Sequence, residues 1–176
     1  MKLHDLSFKP MIGPKEIAEK VTEIGASITE HYAGKEVLMI PVLKGAFIFA
    51  ADLARAIQVP LTFRFVLLST YGDDTESTQK VQEVQGLDEL DLNGQHVLIV
   101  EDIVDTGFSA AFLRKEIMKR GAASVKVAAM LYKPDAFKGD LPPEFYGFDI
   151  PNEFVVGYGL DYAQHGRELP GIYVKE

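Results

Sequence analysis

Apolar residues recur at helical spacing near the start of the chain. Ile17, Val21, Ile24, Ile28 and Tyr32 follow one another at intervals of four, three, four and four, which lines one face of a helix. Pro14 suits a first helical position and Gly34 a stop, so the pattern predicts a helix between them. Val37–Leu43 (VLMIPVL) is apolar without alternation, as in a strand buried on both faces of a parallel sheet. Pro41 is an awkward residue in such a strand. The same rhythm then repeats. A KGAF turn leads to a predicted helix over Ile48–Ile57 and a strand over Leu61–Leu68. A strand over His96–Asp102, a helix over Ser109–Arg120 closed by Gly121, and a strand over Val125–Leu131 follow. Strands separated by helices imply right-handed crossovers and a doubly wound α/β parallel sheet flanked by helices.

Two segments break the rhythm. Ser69–Lys80 (STYGDDTESTQK) carries no helical or strand period. A long loop of this kind is a lid or a solvated connection, and its composition fits both equally. The lid expectation covers about residues 69–83. Beyond Leu131 the chain turns to five prolines, six glycines and many aromatics before Lys175. That texture predicts short strands and turns folded over one end of the sheet. We expect a small hood from about residue 134 to 176, joined by the N-terminal residues, completing a pocket beyond the carboxyl ends of the strands. No repeat stands out, and one domain over 1–176 is expected.

Composition narrows the function. The chain has 176 residues and no cysteine, which excludes a disulfide scaffold, a thiolate metal site and a cysteine nucleophile. A reducing, cytoplasmic location fits. The net charge is −8, so a general nucleic-acid or anionic-membrane surface is not expected. The opening MKLHDLSFKPMIGPKE has no apolar core of a signal peptide, and no stretch approaches a membrane span. The histidines at 4, 31, 96 and 165 show no metal-ligand spacing. Neither a GxxxxGK[ST] loop nor a GxSxG elbow occurs. Gly157-Tyr-Gly159 lacks the third glycine of a dinucleotide fingerprint.

The chemistry concentrates in VLIVEDIVDTGFSA (Val97–Ala110). A buried strand runs into three acids, then a Thr-Gly-x-Ser turn, then a helix. Such a turn places backbone N–H groups and the Thr106 and Ser109 hydroxyls at a helix N-terminus, which suits a phosphate dianion. Glu101 and Asp102 lie within reach of ribose hydroxyls or a divalent cation, and Asp105 stands at the mouth of the turn. Taken singly, Asp105, Thr106 and Ser109 also read as helix caps. The whole string on its strand does not.

VEDIVDTG resembles the phosphoribosyl-pyrophosphate signature of type I phosphoribosyltransferases. Three further matches narrow the resemblance to the bacterial hypoxanthine/guanine phosphoribosyltransferases. They are VLKGAFIFAADLAR (Val42–Arg55), Lys133 after AAMLY, and FVVGYGLDY (Phe154–Tyr162) with Arg167. The resemblance implies the type I phosphoribosyltransferase fold with a mobile lid loop and a C-terminal hood. It also implies 6-oxopurine salvage with phosphoribosyl pyrophosphate and Mg²⁺, and a homodimer or homotetramer.

Residue by residue, the resemblance implies that Thr106, Gly107, Phe108 and Ser109 hold the 5′-phosphate. Glu101 and Asp102 bind the ribose hydroxyls and a magnesium ion, and Asp105 is the general base for the purine N7 proton. Leu43, Lys44 and Gly45 form the pyrophosphate turn, where the family often has a cis peptide before the lysine. Thr70 and Tyr71 are the hydroxyl pair of the mobile loop, and Arg167 a pyrophosphate contact. Lys133 reaches the purine 6-oxo group, Phe154 stacks on the base and the Val155 backbone meets its edge. Asp161 lies by the purine as a ligand of a second magnesium ion. Phe108 and Phe137 depart from mammalian relatives, which carry lysine and arginine there. That leaves open which cation supports the distal pyrophosphate. A different base such as xanthine, or a regulator that binds phosphoribosyl pyrophosphate without catalysis, are the rival readings; the latter would need a basic face.

Overall fold

The computed structural model describes residues 1–71, 80–87 and 91–176. The chain opens with β1 (Lys2–Leu3) and β2 (Leu6–Ile12) and enters α1 (Pro14–His31). The Glu16 side chain reaches back to accept a hydrogen bond from the Gly13 amide at 2.9 Å, which closes the helix start. The predicted apolar face is the buried one: Ile17, Val21, Ile24 and Ile28 lie inside, and Tyr32 follows at the C-cap.

The alternating core follows as β3 (Val37–Leu43), α2 (Phe47–Ala56), β4 (Leu61–Phe63), β5 (Val66–Tyr71) and β6 (Lys80–Gln85). Then come β7 (His96–Val104), α3 (Phe108–Lys119), β8 (Ser124–Tyr132) and β9 (Phe145–Asp149). The sheet runs β6-β5-β3-β7-β8-β9, with β4 also beside β3. Its pairings are parallel except β5 with β6. Alternate residues of the central strands feed opposite faces. Val37, Met39, Leu98 and Val100 join the core under α1 and α2. Leu38, Ile40, Val97 and Ile99 join the one under α3. Helices on both faces explain why β3 is apolar without alternation, and the expected doubly wound α/β architecture is present.

Pro41 fits for a reason the sequence hid. The Val37 amide bonds Pro60 O at 3.0 Å, and Met39 O accepts from the Arg64 amide at 3.1 Å. Odd-numbered residues of β3 therefore face the β4–β5 side. That partner is interrupted between Phe63 and Val66, where the nitrogen of Pro41, which carries no hydrogen, needs no acceptor. The single strand expected over Leu61–Leu68 is accordingly two.

Other boundaries shift as well. The strand expected to end at Asp102 continues to Val104, because β8 pairs with it as far as Val104↔Tyr132. Ser69–Lys80 is not loop throughout: β5 extends to Tyr71 and pairs with β6 from Lys80 onward. The core of the lid expectation, residues 72–79, lies outside the described residues. The irregular C-terminal segment contributes β9 to the parallel sheet itself.

The remaining strands, β10 (Val155–Val156) and β11 (Ile172–Lys175), form a separate antiparallel sheet of order β1-β2-β11-β10. It draws on both chain ends: the Glu176 amide bonds Ser7 O and the Lys175 amide bonds Phe154 O, each at 2.9 Å. Val155, Tyr158, Ile172 and Val174 share the core with α1 and α2. Among the described residues no helix is long and apolar enough to cross a membrane.

Candidate functional site

The carboxyl ends of β3, β7 and β8 release three loops side by side, the place where open α/β sheets bind ligands. The loop after β7 is the most local of them. Gly107 adopts φ +80° as the N-cap of α3. A Cβ there would strike the Phe137 ring at 2.2 Å, so only glycine allows the turn and its cover together. The Lys138 amide bonds Thr106 O at 3.0 Å and holds that cover in place. No side chain caps α3. The caps proposed for Asp105, Thr106 and Ser109 are therefore not made, and the start of the helix borders a cavity of about 200 Å³. Thr106, Gly107 and Ser109 line it together with Glu101, Asp102 and Asp105.

Two carboxylates form the floor. Glu101 is 6% exposed and its Oε1 has no hydrogen-bond partner. Burial, with the charge of Asp102 beside it, pushes its carboxyl well above the ordinary range. Burial also pushes Asp102 up, to about 6. Backbone amides and Arg167 pull against that rise, and Asp161 adds to it. The Asp102 carboxylate lies against the loop after β3: a Cβ on Gly45 would sit 1.6 Å from Asp102 Oδ2. The Leu43–Lys44 peptide in that loop is cis, as the resemblance led us to expect.

The other wall comes from the small sheet's side. Arg167 donates to Gly159 O at 2.7 Å and pairs with Asp161 Oδ1 at 2.6 Å. The Gln164 amide holds Asp161 Oδ2 at 2.8 Å. The Lys44 ammonium donates to Gln164 Oε1 at 3.3 Å. Lys44, Gly45, Asp161 and Arg167 thus gather beside Asp102. Asp161 is engaged at both oxygens, and no group of three or more metal-ligating side chains converges among the described residues.

The third part lies at the end of β8. Lys133 is 7% exposed, and its ammonium pairs with Asp105 Oδ2 at 2.7 Å. Asn152 Oδ1 stands 3.5 Å away. Phe154 leaves 43% of its surface exposed and is braced edge-on by Tyr162 at 5.8 Å between ring centroids. Val155 is buried in β10. Thr70 and Tyr71 end β5, beyond the last β3 pairing at Leu43↔Leu67 and so at the same end of the sheet. Phe108 opens α3.

Sequence reasoning missed Gln164, Asn152 and Gly159. Gln164 has φ +71°, a conformation no sequence pattern announces for glutamine. Gly159 was visible as a glycine, but its reason was not: a Cβ would meet Gly45 O at 2.0 Å, across the site.

The family profile for phosphoribosyl transferase domains matches residues 12–163 of the chain. A hypoxanthine-guanine phosphoribosyltransferase of Bacillus subtilis (strain 168) is 42% identical over 174 residues, covering 99% of this chain and 96% of that one. A hypoxanthine phosphoribosyltransferase of Salmonella typhimurium is 44% identical over 164 residues, with 92% of each chain covered. The fold is similar to a crystal structure of a hypoxanthine-guanine phosphoribosyltransferase from Bacillus anthracis with a HEPES molecule in its active site. The TM-score is 0.87 at 38% identity, covering 97% of this chain and 99% of that one.

Proposed function

The chain belongs to the phosphoribosyl transferase family, and we propose that it is a purine-salvage member acting on hypoxanthine or guanine. It transfers the phosphoribosyl group of phosphoribosyl pyrophosphate to the base, giving the mononucleotide and pyrophosphate. The observation that carries this reading is the meeting of three subsites at one sheet end. They are the uncapped loop from Thr106 to Ser109, the Lys44–Gly45 turn against Asp102, and the Asp105–Lys133 pair near Phe154.

In this reading the amides and hydroxyls of Thr106–Ser109 hold the 5′-phosphate, which needs donors without other partners. Glu101 and Asp102 face the ribose. Lys44, Arg167 and the turn at Gly45 receive the pyrophosphate, whose charge grows as the bond to ribose C1 breaks. Asp105 takes the purine N7 proton. The Lys133 ammonium has three donors and no acceptor, so it can keep Asp105 in place and still bond a 6-oxo oxygen. Phe154 offers its exposed ring to the base.

Magnesium fits the donors present. Glu101 carries a buried oxygen without a partner, Asp102 lies beside it, and both are hard oxygen ligands. Bound there, Mg²⁺ would offset charge on the pyrophosphate and organise the ribose oxygens. Asp161 would reach a metal with the lone pairs that Arg167 and the Gln164 amide leave open.

We also propose that the small antiparallel sheet serves as a hood over the base and that the chain assembles as a homodimer or homotetramer. Phe47, Phe63 and Phe65 are 47%, 38% and 54% exposed, and large exposed aromatics of this kind favour a second copy. A cytoplasmic setting, without nucleic-acid or membrane partners, fits the charge of −8 and the absence of cysteine.

A pyrophosphate-release assay with a panel of bases tests the function. Hypoxanthine and guanine should support release, and adenine should not compete. Adenine would set its 6-amino group against the ammonium. Because Asp105 already satisfies Lys133, the cost is a lost charge-assisted bond rather than an orphaned charge. The expected discrimination is therefore roughly 10–100-fold. Lys133→Ala should narrow it. Equal use of adenine would overturn the 6-oxopurine assignment.

A further inference from the structure

One half-buried contact near the site has no role in the chemistry above. Tyr158 is 6% exposed, and its hydroxyl donates to Asp52 Oδ2 at 2.6 Å. Asp52 is on α2 and also pairs with Arg55. Burial and the Asp52 carboxylate both raise the Tyr158 phenol above its ordinary range, so it stays a neutral donor.

The two ends of this bond belong to the two walls of the pyrophosphate subsite. The Lys44–Gly45 turn flows directly into α2. The Ala46 amide bonds Val42 O at 3.3 Å, and the Ala50 amide bonds Ala46 O at 2.8 Å. Phe49, Ala50 and Leu53 fix that helix in the core. Opposite, Gly157, Tyr158 and Gly159 are three consecutive residues at φ +100°, +51° and +105°. A left-handed tyrosine is uncommon and needs its surroundings to hold it. The Tyr158 amide bonds Leu169 O at 2.9 Å, and the Gly159 amide bonds Arg167 O at 3.0 Å. The walls touch where Gly45 O packs on Gly159. That backbone contact has no side chain to fix its spacing. The tyrosine, with a rigid ring on two torsions, supplies the fixed length.

We propose that Asp52 and Tyr158 are positioning residues of the pyrophosphate subsite. Their hydrogen bond sets the separation between the Lys44–Gly45 turn and the loop carrying Asp161, Gln164 and Arg167, and so governs capture of phosphoribosyl pyrophosphate without touching it. The proposal rests on reading Lys44, Gly45 and Arg167 as pyrophosphate groups.

The test compares Tyr158→Phe, Asp52→Ala, Asp52→Asn and the Tyr158→Phe/Asp52→Ala double variant. KM for phosphoribosyl pyrophosphate, KM for hypoxanthine, kcat and Tm are measured on each. Tyr158→Phe and Asp52→Ala should each raise KM for phosphoribosyl pyrophosphate about tenfold, as expected for losing one bond to a charged group. KM for hypoxanthine should stay within about twofold. The double variant should be no worse than either single one, because both remove the same bond. Asp52→Asn keeps an oxygen that accepts from the tyrosine and should remain close to wild type. Calorimetric titration with phosphoribosyl pyrophosphate should give the same ordering without turnover. An unchanged affinity in both disrupting variants overturns the proposal. So does a parallel rise of both KM values that follows a fall in Tm, or an additive double variant. If wild type turns over neither base yet the calorimetric ordering holds, the salvage reading falls and the positioning role stands.

Discussion

Two groups of carboxylates sit on the same parallel sheet and are treated in opposite ways. Glu144, just before β9, receives Arg114 at 2.8 Å and 2.6 Å on its two oxygens, the Val127 amide at 2.9 Å and Lys126 at 3.4 Å. Burial pushes its carboxyl up, but Arg114 and the Val127 amide outweigh that and hold it below the ordinary range. Glu101 and Asp102, on β7, are pushed up instead, and Glu101 leaves one oxygen without a partner. Glu144 joins β8 to the start of β9 and serves the fold. Glu101 and Asp102 cost the fold stability, which makes sense only where a ligand supplies the missing partners.

If this contrast is right, changes at the site should remove activity and spare stability, and changes at Glu144 should do the reverse. The largest effect is expected for Asp105→Asn. The amide still accepts from Lys133, so the pair that anchors the loop survives, but it cannot take the N7 proton. Removing a general base costs roughly 10²–10⁴-fold in kcat. Rapid-quench measurement of the transfer step with hypoxanthine checks this. A kcat within a few-fold of wild type would remove Asp105 from the chemistry.

Gly45→Ala comes next. Its Cβ would overlap Asp102 Oδ2, so the turn and the carboxylate must part. Misplacing a site by about 1 Å can cost roughly 10²-fold, and a loss of that order in kcat/KM for phosphoribosyl pyrophosphate is expected. The change lies at a sheet end, outside the core, so Tm should fall little. Wild-type kinetics would show that the turn does not need its contact with Asp102.

Arg114→Ala sharpens the other side. It strips Glu144 of its main partner, and the Arg114 side chain is only 12% exposed. Removing one member of a buried pair costs upward of about 3 kcal/mol, or roughly 6–12 °C in Tm for a chain of this size. KM for both substrates should not change. A shift in KM without a loss of Tm would mean that this scaffold is coupled to the site.

The same contrast explains how much could be read beforehand. Glu101 to Ser109 is one continuous stretch, with turn, helix start and acids all adjacent, so the segment announced itself. The helical face of α1 and the buried strands were legible because their periods are local. The pyrophosphate wall was not. Lys44 meets Gln164 from 120 residues away, and Gly45 and Gly159 need each other's missing side chains. Such pairs exist only after folding: the resemblance to a family pointed to Lys44 and Gly45, but not to Gln164 or to the reason for Gly159. The break between β4 and β5 was hidden likewise. It lies beside Pro41, and only the pairing direction of β3 shows why. Lys133 and Asp105 were each expected as site residues, but not as partners of one another.

The smallest effect tests the contrast most directly, because its sign differs between the two regions. Asp102 is pushed up to about 6 in the folded protein, above the roughly 3.9 of an unfolded aspartate. Its folded form therefore prefers the proton. Ionisation costs stability in full above about pH 6, and the cost fades as pH falls toward 4. Asp102→Asn removes that cost and should raise Tm at pH 7, with the gain shrinking between pH 6 and 4. Glu144 is held below its unfolded value. Its stabilisation is present above the unfolded value, near pH 4.3, and is lost as pH falls through the lower folded value. Glu144→Gln should therefore lower Tm at pH 7, and its disadvantage should shrink in acid. Thermal unfolding of both variants against wild type, from pH 7 into acid, gives two difference curves of opposite sign: the Asp102 curve shrinks between about pH 6 and 4, and the Glu144 curve only below about pH 4.3. Curves of the same sign would mean that the site carboxylates are as well satisfied as the scaffold one, and that Glu101 and Asp102 are not held in reserve for a ligand.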